Sequence, residues 1–383
     1  MKKFIPYGRQ NIDEDDIEAV VRVLNTPLIT QGLEVEEFES CVARYCGVAY
    51  AVAFNSGTSA LHAAMYAADV GSKDEVITSP ITFLSSANAA VYMGARPVFV
   101  DMDPDTYCID INKLESAITD RTRAIVPVDY AGYPVDIGLI REIADRHNLV
   151  IIEDAAHALG SIHQGKMVGQ EADMTAFSFH PVKHITTGEG GMVVTDNSDY
   201  AKKLKQFRNN GMVRDEGCLK ADPEPWYYEM QDIGYNYRIT SFQCALGISQ
   251  LNKLDSFLEQ RQIIARRYDQ ILQDFNSFRV PPQPDHQSRH AYHLYPLLLP
   301  EEVDRRACFE YMRAANIGVQ VHYIPVHLQP YYKEQYGYRH GDFPIAEAFY
   351  QREISLPIFP GLTEEEQDYV IETLREGARI PNM

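Results

Sequence analysis

Short apolar runs alternate with helical stretches over the first half of the chain. The runs are Tyr50–Phe54, Glu75–Thr78, Pro97–Asp101, Ala124–Val128, Leu149–Glu153, Met174–Phe179 and Met192–Thr195. Each is nearly continuous in hydrophobic residues, which is the pattern of strands buried on both faces. The helical stretches between them supply the crossovers of a mostly parallel sheet, so the pattern predicts an α/β fold. Helices are expected over Asp13–Leu24, with acidic residues in its first turn, over Glu36–Tyr45, and over Ala60–Ala68. A long helical stretch runs from Thr240 to about Leu272, and the Pro-rich Val280–Pro284 then marks a change in organisation. From Tyr292 onward, with a helix near Glu301–Asn316, the chain reads as a smaller α+β body. We therefore expect a large domain over 1–250 and a small one over 251–383.

Composition narrows the class. The 383 residues are 45% hydrophobic and carry a formal charge of −19. Such a surface repels nucleic acid and anionic membrane while leaving room for a locally basic pocket. The six cysteines contain no C-x-x-C pair and read as reduced, buried thiols. The opening Met1–Gln10 lacks the apolar core of a signal peptide, and no run is long enough to cross a bilayer. The expectation is a cytoplasmic protein without nucleic-acid or membrane partners.

Candidate chemistry gathers where apolar strands end. Asp154 closes the run Leu149–Asp154, and Lys183 lies in a loop between two strands, followed by Gly188-Glu-Gly-Gly191. A lysine able to form a Schiff base and a carboxylate able to face a pyridinium nitrogen are what pyridoxal phosphate (PLP) chemistry asks of a protein. Asn55-Ser-Gly-Thr-Ser59 follows a strand and opens a helix, where unpaired N–H groups and the hydroxyls of Thr58 and Ser59 suit a phosphate. Each feature also has a plain structural reading. Asn55–Ser59 serves as an N-cap, Asp154 as a strand-end turn, and Lys183 as a solvated surface residue. His157 either tunes a cofactor oxygen or is structural. Phe83 either stacks on a flat ring or belongs to the core. Asn236 and Arg238 form a polar pair in an aromatic turn, where Arg238 suits a phosphate or a surface ion pair. His322 and His327 lack the third ligand and spacing of a metal site, so no metal is expected.

Taken together the pattern resembles the DegT/StrS-type family of PLP-dependent nucleotide-sugar aminotransferases. The resemblance rests on Thr30-Gln-Gly, Asn55–Leu61, Thr82-Phe83, Gly94–Asp101, Glu153–His157, Ser178-Phe179, Lys183, Gly188–Gly191, Gly234–Arg238 and Leu356-Pro357. It implies the aspartate-aminotransferase architecture (fold type I) and a homodimer with shared active sites. Lys183 would be the Schiff-base lysine, Asp154 the partner of the ring nitrogen, and His157 the neighbour of the cofactor oxygen. Phe83 would stack on the ring. Thr58, Ser59 and Ser178 would hold the phosphate, and Asn236 would reach it from the second subunit with Arg238 close by. Ser178–Lys183 and His322–Tyr332 are similar to the branch that aminates carbon 4 of a UDP-4-keto-6-deoxy-N-acetylhexosamine for pseudaminic acid, whereas Gly8-Arg9 and His184 depart from that branch. Tyr7, Ile29, Thr30, Gln31, His322 and Tyr323 are then expected at the sugar, with L-glutamate as amino donor. Two rival readings stand beside this one. The first is a different PLP reaction, although related dehydratases carry histidine where this chain has Lys183, and no cysteine stands out for sulfur removal. The second is a non-catalytic regulator that binds the cofactor or a sugar nucleotide.

Overall fold

A computed structural model describes residues 3–214, 217, 219–220, 224–273 and 278–380. The seven apolar runs become the seven strands of one sheet. These are β1 (Tyr50–Phe54), β2 (Glu75–Thr78), β3 (Arg96–Phe99), β4 (Thr122–Val126), β5 (Val150–Asp154), β6 (Met174–Ser178) and β7 (Gly191–Thr195). Their order across the sheet is β1-β7-β6-β5-β4-β2-β3. Only β7 runs against its neighbours, and every other adjacent pair is parallel. Strands β1, β5 and β6 therefore finish on the same edge, where ligands of such sheets bind.

The register decides what meets at that edge. Phe54 pairs with Gly191, Gly191 pairs with Ser178, and Asp154 pairs with Ala176. Asn55 and Ser178 are thus separated only by the width of β7, and Asp154 on β5 lies level with Ala176, two residues back from Ser178 along β6. Glycine is required at 191, since a Cβ there would come within 2.4 Å of the Ser56 carbonyl oxygen. The glycine run after Lys183, expected to let backbone approach a ligand, here lets one strand approach the Ser56–Gly57 turn of its neighbour.

The helices follow the predicted pattern with one difference. The expected ones are α1 (Glu14–Leu24), α2 (Leu33–Cys46) and α3 (Gly57–Ala67), and α4 (Leu84–Tyr92) follows β2. The single long helix from Thr240 is instead two, α5 (Ser241–Leu251) and α6 (Leu254–Gln273). The break lies where the chain is pulled toward α1. Buried Asp16 accepts from Ser249 Oγ (2.6 Å) and Gln250 Nε2 (2.7 Å), and Lys253 Nζ stands 2.9 Å from it. Beyond the break α6 turns Ile264, Tyr268 and Leu272 into a different core, shared with α7 (Arg305–Ala314), β8 (Tyr295–Leu298) and β9 (Glu353–Leu356). Strands β8 and β9 pair antiparallel, Tyr295 opposite Leu356. The N-terminal segment reaches the same body, because Ile5–Pro6 pairs in parallel with Ile317–Gly318.

Five cysteines are free. Cys46, Cys108, Cys244 and Cys308 are buried and Cys41 partly so, while Cys218 lies outside the described residues. Burial pushes the Cys46 and Cys308 thiols up to about 12, which makes them inert packing groups. Among the described residues no helix is long and apolar enough to cross a membrane. Replacing Asp16 by Ala should leave two side-chain donors unpaired at the α1–α5 contact and Lys253 with Asp13 as its remaining partner, costing about 3 kcal/mol. Thermal unfolding of the variant should begin at a clearly lower temperature, whereas Asp15→Ala on the exposed side of α1 should leave it nearly unchanged.

Candidate active site

Lys183 is delivered by a tight turn. Pro181 presets the turn and the Lys183 N–H closes it on the His180 carbonyl at 2.9 Å. The loop is stitched further by Thr187 N–H and Thr186 Oγ1, both donating to the Phe179 carbonyl. His180 points to solvent, while His184 is buried with Nε2 3.2 Å from the Ala291 carbonyl. Lys183 itself is half-buried, and its Nζ lies 3.5 Å from His293 Nε2. Desolvation lowers its ammonium to about 7, opposed by the Asp154 carboxylate and assisted by the Arg261 guanidinium. Among the described residues no carboxylate pairs with it within 4 Å, so a large share of the amine is neutral and nucleophilic near neutral pH.

Asp154 ends β5 with 5% of its surface exposed. Ser86 Oγ donates to Oδ2 at 2.6 Å and the Ala156 N–H to Oδ1 at 3.2 Å. Burial raises this carboxyl, and the two donors and Lys183 pull it back toward the ionised form. Ser86 was not legible as a site residue. It comes from α4, directed inward by a bond of 2.6 Å with Thr82 Oγ1. Phe83, at the start of the same helix, is 55% exposed rather than a core residue, and its ring lies 6.0 Å from that of Tyr323.

His157 is fixed on both sides. The Ala131 N–H donates to Nδ1 at 3.3 Å, so Nε2 carries the ring hydrogen and faces the Tyr323 hydroxyl at 3.0 Å. Burial, followed by the nearby Lys183, holds this histidine neutral. His293 stacks obliquely on it, with centroids 4.3 Å apart. His293 also escaped the sequence reading; its only signal was a second histidine in the apolar run His290–Leu294. His322 packs on Tyr7 at 5.2 Å and on Tyr323 at 4.9 Å. The two histidines of His322–His327 do not share a site, since His327 Nε2 bonds Glu347 Oε1 at 2.9 Å. Among the described residues no cluster of three metal-ligating side chains occurs.

The phosphate end of the site fits as well. Ser56 caps α3 and forms a reciprocal pair with Ser59, whose hydroxyl also bonds Asn55 Oδ1 at 2.7 Å. The Ser59 hydroxyl therefore serves the turn itself. The Thr58 hydroxyl lies 2.7 Å from Ser85 Oγ. Among the described residues no acceptor reaches the Gly57 or Thr58 N–H, so both point unpaired from the positive end of α3. A Cβ on Gly57 would sit 2.9 Å from that of Ser178, which brings the strand-end serine against the same turn. Asn236 is exposed and Arg238 half-buried. The carbonyl of Tyr237 between them accepts from the Asn55 N–H at 2.9 Å, and Arg238 Nη1 donates to Asn209 Oδ1 at 2.6 Å. Ile29, Thr30 and Gln31 lie exposed beside the start of α5, where Thr30 bridges Thr240. The fold does not bring these three into contact with Lys183 within the single chain.

A lysine with a lowered ammonium, a buried carboxylate held by Ser86 and the Ala156 N–H, and a helix N-terminus with free N–H groups, set on one edge of a mostly parallel sheet, define a PLP enzyme of the aspartate-aminotransferase architecture. The pattern of the DegT/DnrJ/EryC1/StrS aminotransferase family matches residues 10–375, and the chain belongs to that family. It is 40% identical to UDP-4-amino-4,6-dideoxy-N-acetyl-beta-L-altrosamine transaminase of Campylobacter jejuni, over 97% of this chain and 96% of that one. It is equally 40% identical to the spore coat polysaccharide biosynthesis protein SpsC of Bacillus subtilis, over 97% of each. Helicobacter pylori PseC, an aminotransferase involved in the biosynthesis of pseudoaminic acid, superposes with a TM-score of 0.91 at 35% identity over 98% of this chain and 99% of that one. The sugar aminotransferase Spr1654 of Streptococcus pneumoniae, solved in PLP and PMP forms, superposes at 0.91 and 0.92 with 31% identity over 98% of this chain and 98–99% of that one. The protein is accordingly a PLP-dependent sugar aminotransferase.

The lowered Lys183 ammonium gives a signature in pH. Uptake of pyridoxal phosphate by the apoprotein, followed by visible absorbance, should accelerate as pH rises through about 7 and level off there. An ordinary lysine would keep accelerating to far higher pH, about 10.4.

Proposed function

We propose that the chain moves an amino group from L-glutamate to a UDP-4-keto-6-deoxy-N-acetylhexosamine, as a homodimer with shared active sites. What carries the reading is Lys183, its ammonium lowered to about 7, set at the sheet edge with buried Asp154. The named activities of the Campylobacter jejuni and Helicobacter pylori relatives support the sugar. Pyridoxal phosphate supplies an aldehyde that condenses with amines and a ring that accepts electrons.

Each residue has a distinct part. The Gly57 and Thr58 N–H groups, the Thr58 hydroxyl and Ser178 hold the phosphate. Asp154, whose charge Ser86 and the Ala156 N–H favour against burial, would face the ring nitrogen and hold its proton by opposite charge. His157, its tautomer set by Ala131, turns an N–H toward the Tyr323 hydroxyl and the cofactor oxygen. Phe83 covers the ring face. The Lys183 amine, once free, takes a proton from the donor carbon and returns it on the other side of the reaction, which a group with a value near 7 does well. The acceptor sugar lies toward Tyr7, His322 and Tyr323. A second subunit would cover exposed Leu28, Leu33, Trp226, Met230 and Ile233, and would bring Asn236, Arg238 and Ile29–Gln31 to a neighbouring site.

The reading is checked by offering PLP-loaded protein glutamate with 4-keto and 3-keto UDP-, GDP- and dTDP-sugars and weighing the products. The expected outcome is amination of the 4-keto UDP-sugar and a loss of at least about a thousandfold in Lys183→Ala. Amination of a 3-keto sugar alone would move the substrate while sparing the chemistry. Absence of turnover on every sugar would favour a binding protein.

A further inference from the structure

Glu353 and Ser355 stand two residues apart on β9, so their side chains leave the strand on one face while Ile354 and Leu356 enter the core. That face meets the segment carrying His322, where the Ser355 N–H donates to the Gln320 carbonyl at 2.8 Å. Both Glu353 and Ser355 are fully buried. The His322 N–H donates to Glu353 Oε2 at 2.8 Å, Ser355 Oγ lies 2.5 Å from Glu353 Oε1, and His322 Nδ1 lies 2.8 Å from Ser355 Oγ. The Tyr130 hydroxyl donates to the His322 carbonyl. His322 is thus held by its N–H, its carbonyl and one ring nitrogen, and among the described residues no group bonds its Nε2.

A serine hydroxyl has one hydrogen, which ties the two ends of this chain together. If Glu353 is ionised, Ser355 donates to it, Nδ1–H donates to Ser355, and Nε2 is a bare acceptor. If Glu353 holds a proton, it donates to Ser355, Ser355 donates to Nδ1, and Nε2 carries the hydrogen. We infer that Glu353 and Ser355 are positioning residues forming a relay that sets which ring nitrogen of His322 is protonated, and that His322 presents the resulting Nε2 to the acceptor sugar. The second half of this statement rests on the sugar-aminotransfer reading above; the first half does not.

Burial raises the Glu353 carboxyl to about 8, against the pull of Ser355, the His322 N–H and the Arg305 guanidinium. Below that value the acid keeps its proton and Nε2–H is a donor, matched to a keto or hydroxyl oxygen of the sugar. Above it the relay reverses and Nε2 becomes an acceptor. The other groups facing the relay stay in one state across this window. Tyr107, Tyr130 and Tyr323 are raised by burial and remain neutral, as does Tyr7 against the ring. His322 itself is lowered to about 3, and Lys183, which faces it, is already neutral above about 7.

Glu353→Gln is the informative variant, because its amide oxygen accepts from the His322 N–H and its NH2 donates to Ser355, copying the protonated acid at every pH. The first readout is the long-range proton–nitrogen spectrum of the full-length protein with 15N-labelled histidine, the His322 signals being identified by their loss in His322→Gln. The wild type should change from the Nε2–H to the Nδ1–H pattern between pH 7 and 9, Glu353→Gln should stay at Nε2–H, and Ser355→Ala should lose the switch. Identical patterns in wild type and Glu353→Gln at both pH values would overturn the relay. The second readout is KM for the acceptor sugar, with the glutamate half-reaction as reference. It should rise about tenfold through pH 8 in the wild type and stay flat in Glu353→Gln. A spectral switch without that step in KM would overturn the assignment of Nε2 to the sugar.

Discussion

The site depends on a half-buried amine and a buried carboxylate that do not pair at contact distance. Burial of Lys183 works against its charge, and the nearby Arg261 guanidinium adds to that, so the amine is available as a base and nucleophile. Burial of Asp154 works against its charge too, but Ser86, the Ala156 N–H and Lys183 oppose it. The same desolvation lowers the Lys183 ammonium and raises the Asp154 carboxyl, and the hydrogen bonds to Asp154 oppose its share of that shift. Both conditions require a rigid, dense surround, and the sheet edge supplies it: the pairings of Asp154, Ser178 and Gly191 fix the groups before any ligand arrives.

Around that pair the protein places a layer of polar groups whose proton positions are dictated by their neighbours. Ala131 assigns the tautomer of His157, and Thr82 orients Ser86 toward Asp154. The β9 side chains do the same for His322 from the opposite wall. Arg261 is fully buried, and among the described residues no carboxylate pairs with it. Its Nη1 donates to the carbonyls of Tyr292 and Ile358, both at 3.0 Å, and so ties α6 to the segments on either side of the site. Charges without counter-ions are costly in a core. Their concentration here marks the part of the fold shaped for chemistry rather than for stability.

The seven strands, their alternation with helices, and Lys183, Asp154, Thr58 and Ser178 were legible because each depends on local pattern: apolar runs, strand ends, a capped helix start. The exposed position of Phe83 and the inward set of His184 were not, since an aromatic or a histidine beside a strand end looks the same whether it faces core or cleft. The break between α5 and α6 escaped for a related reason. The helical pattern continues across it, and only the long-range attachment of Ser249, Gln250 and Lys253 to Asp16 bends the chain there.

By itself the sequence determined the class of fold, the edge where chemistry would occur, and the residues reaching it from the strands and turns next to them. These follow from periodicity and from the short reach of a strand end, both local properties. Only the tertiary structure decided which distant groups complete the site: Ser86 under Asp154, His293 beside Lys183, and Glu353 with Ser355 behind His322. Those contacts join residues 31 to 110 positions apart. Their meeting is set by strand register and core packing, which no local pattern encodes.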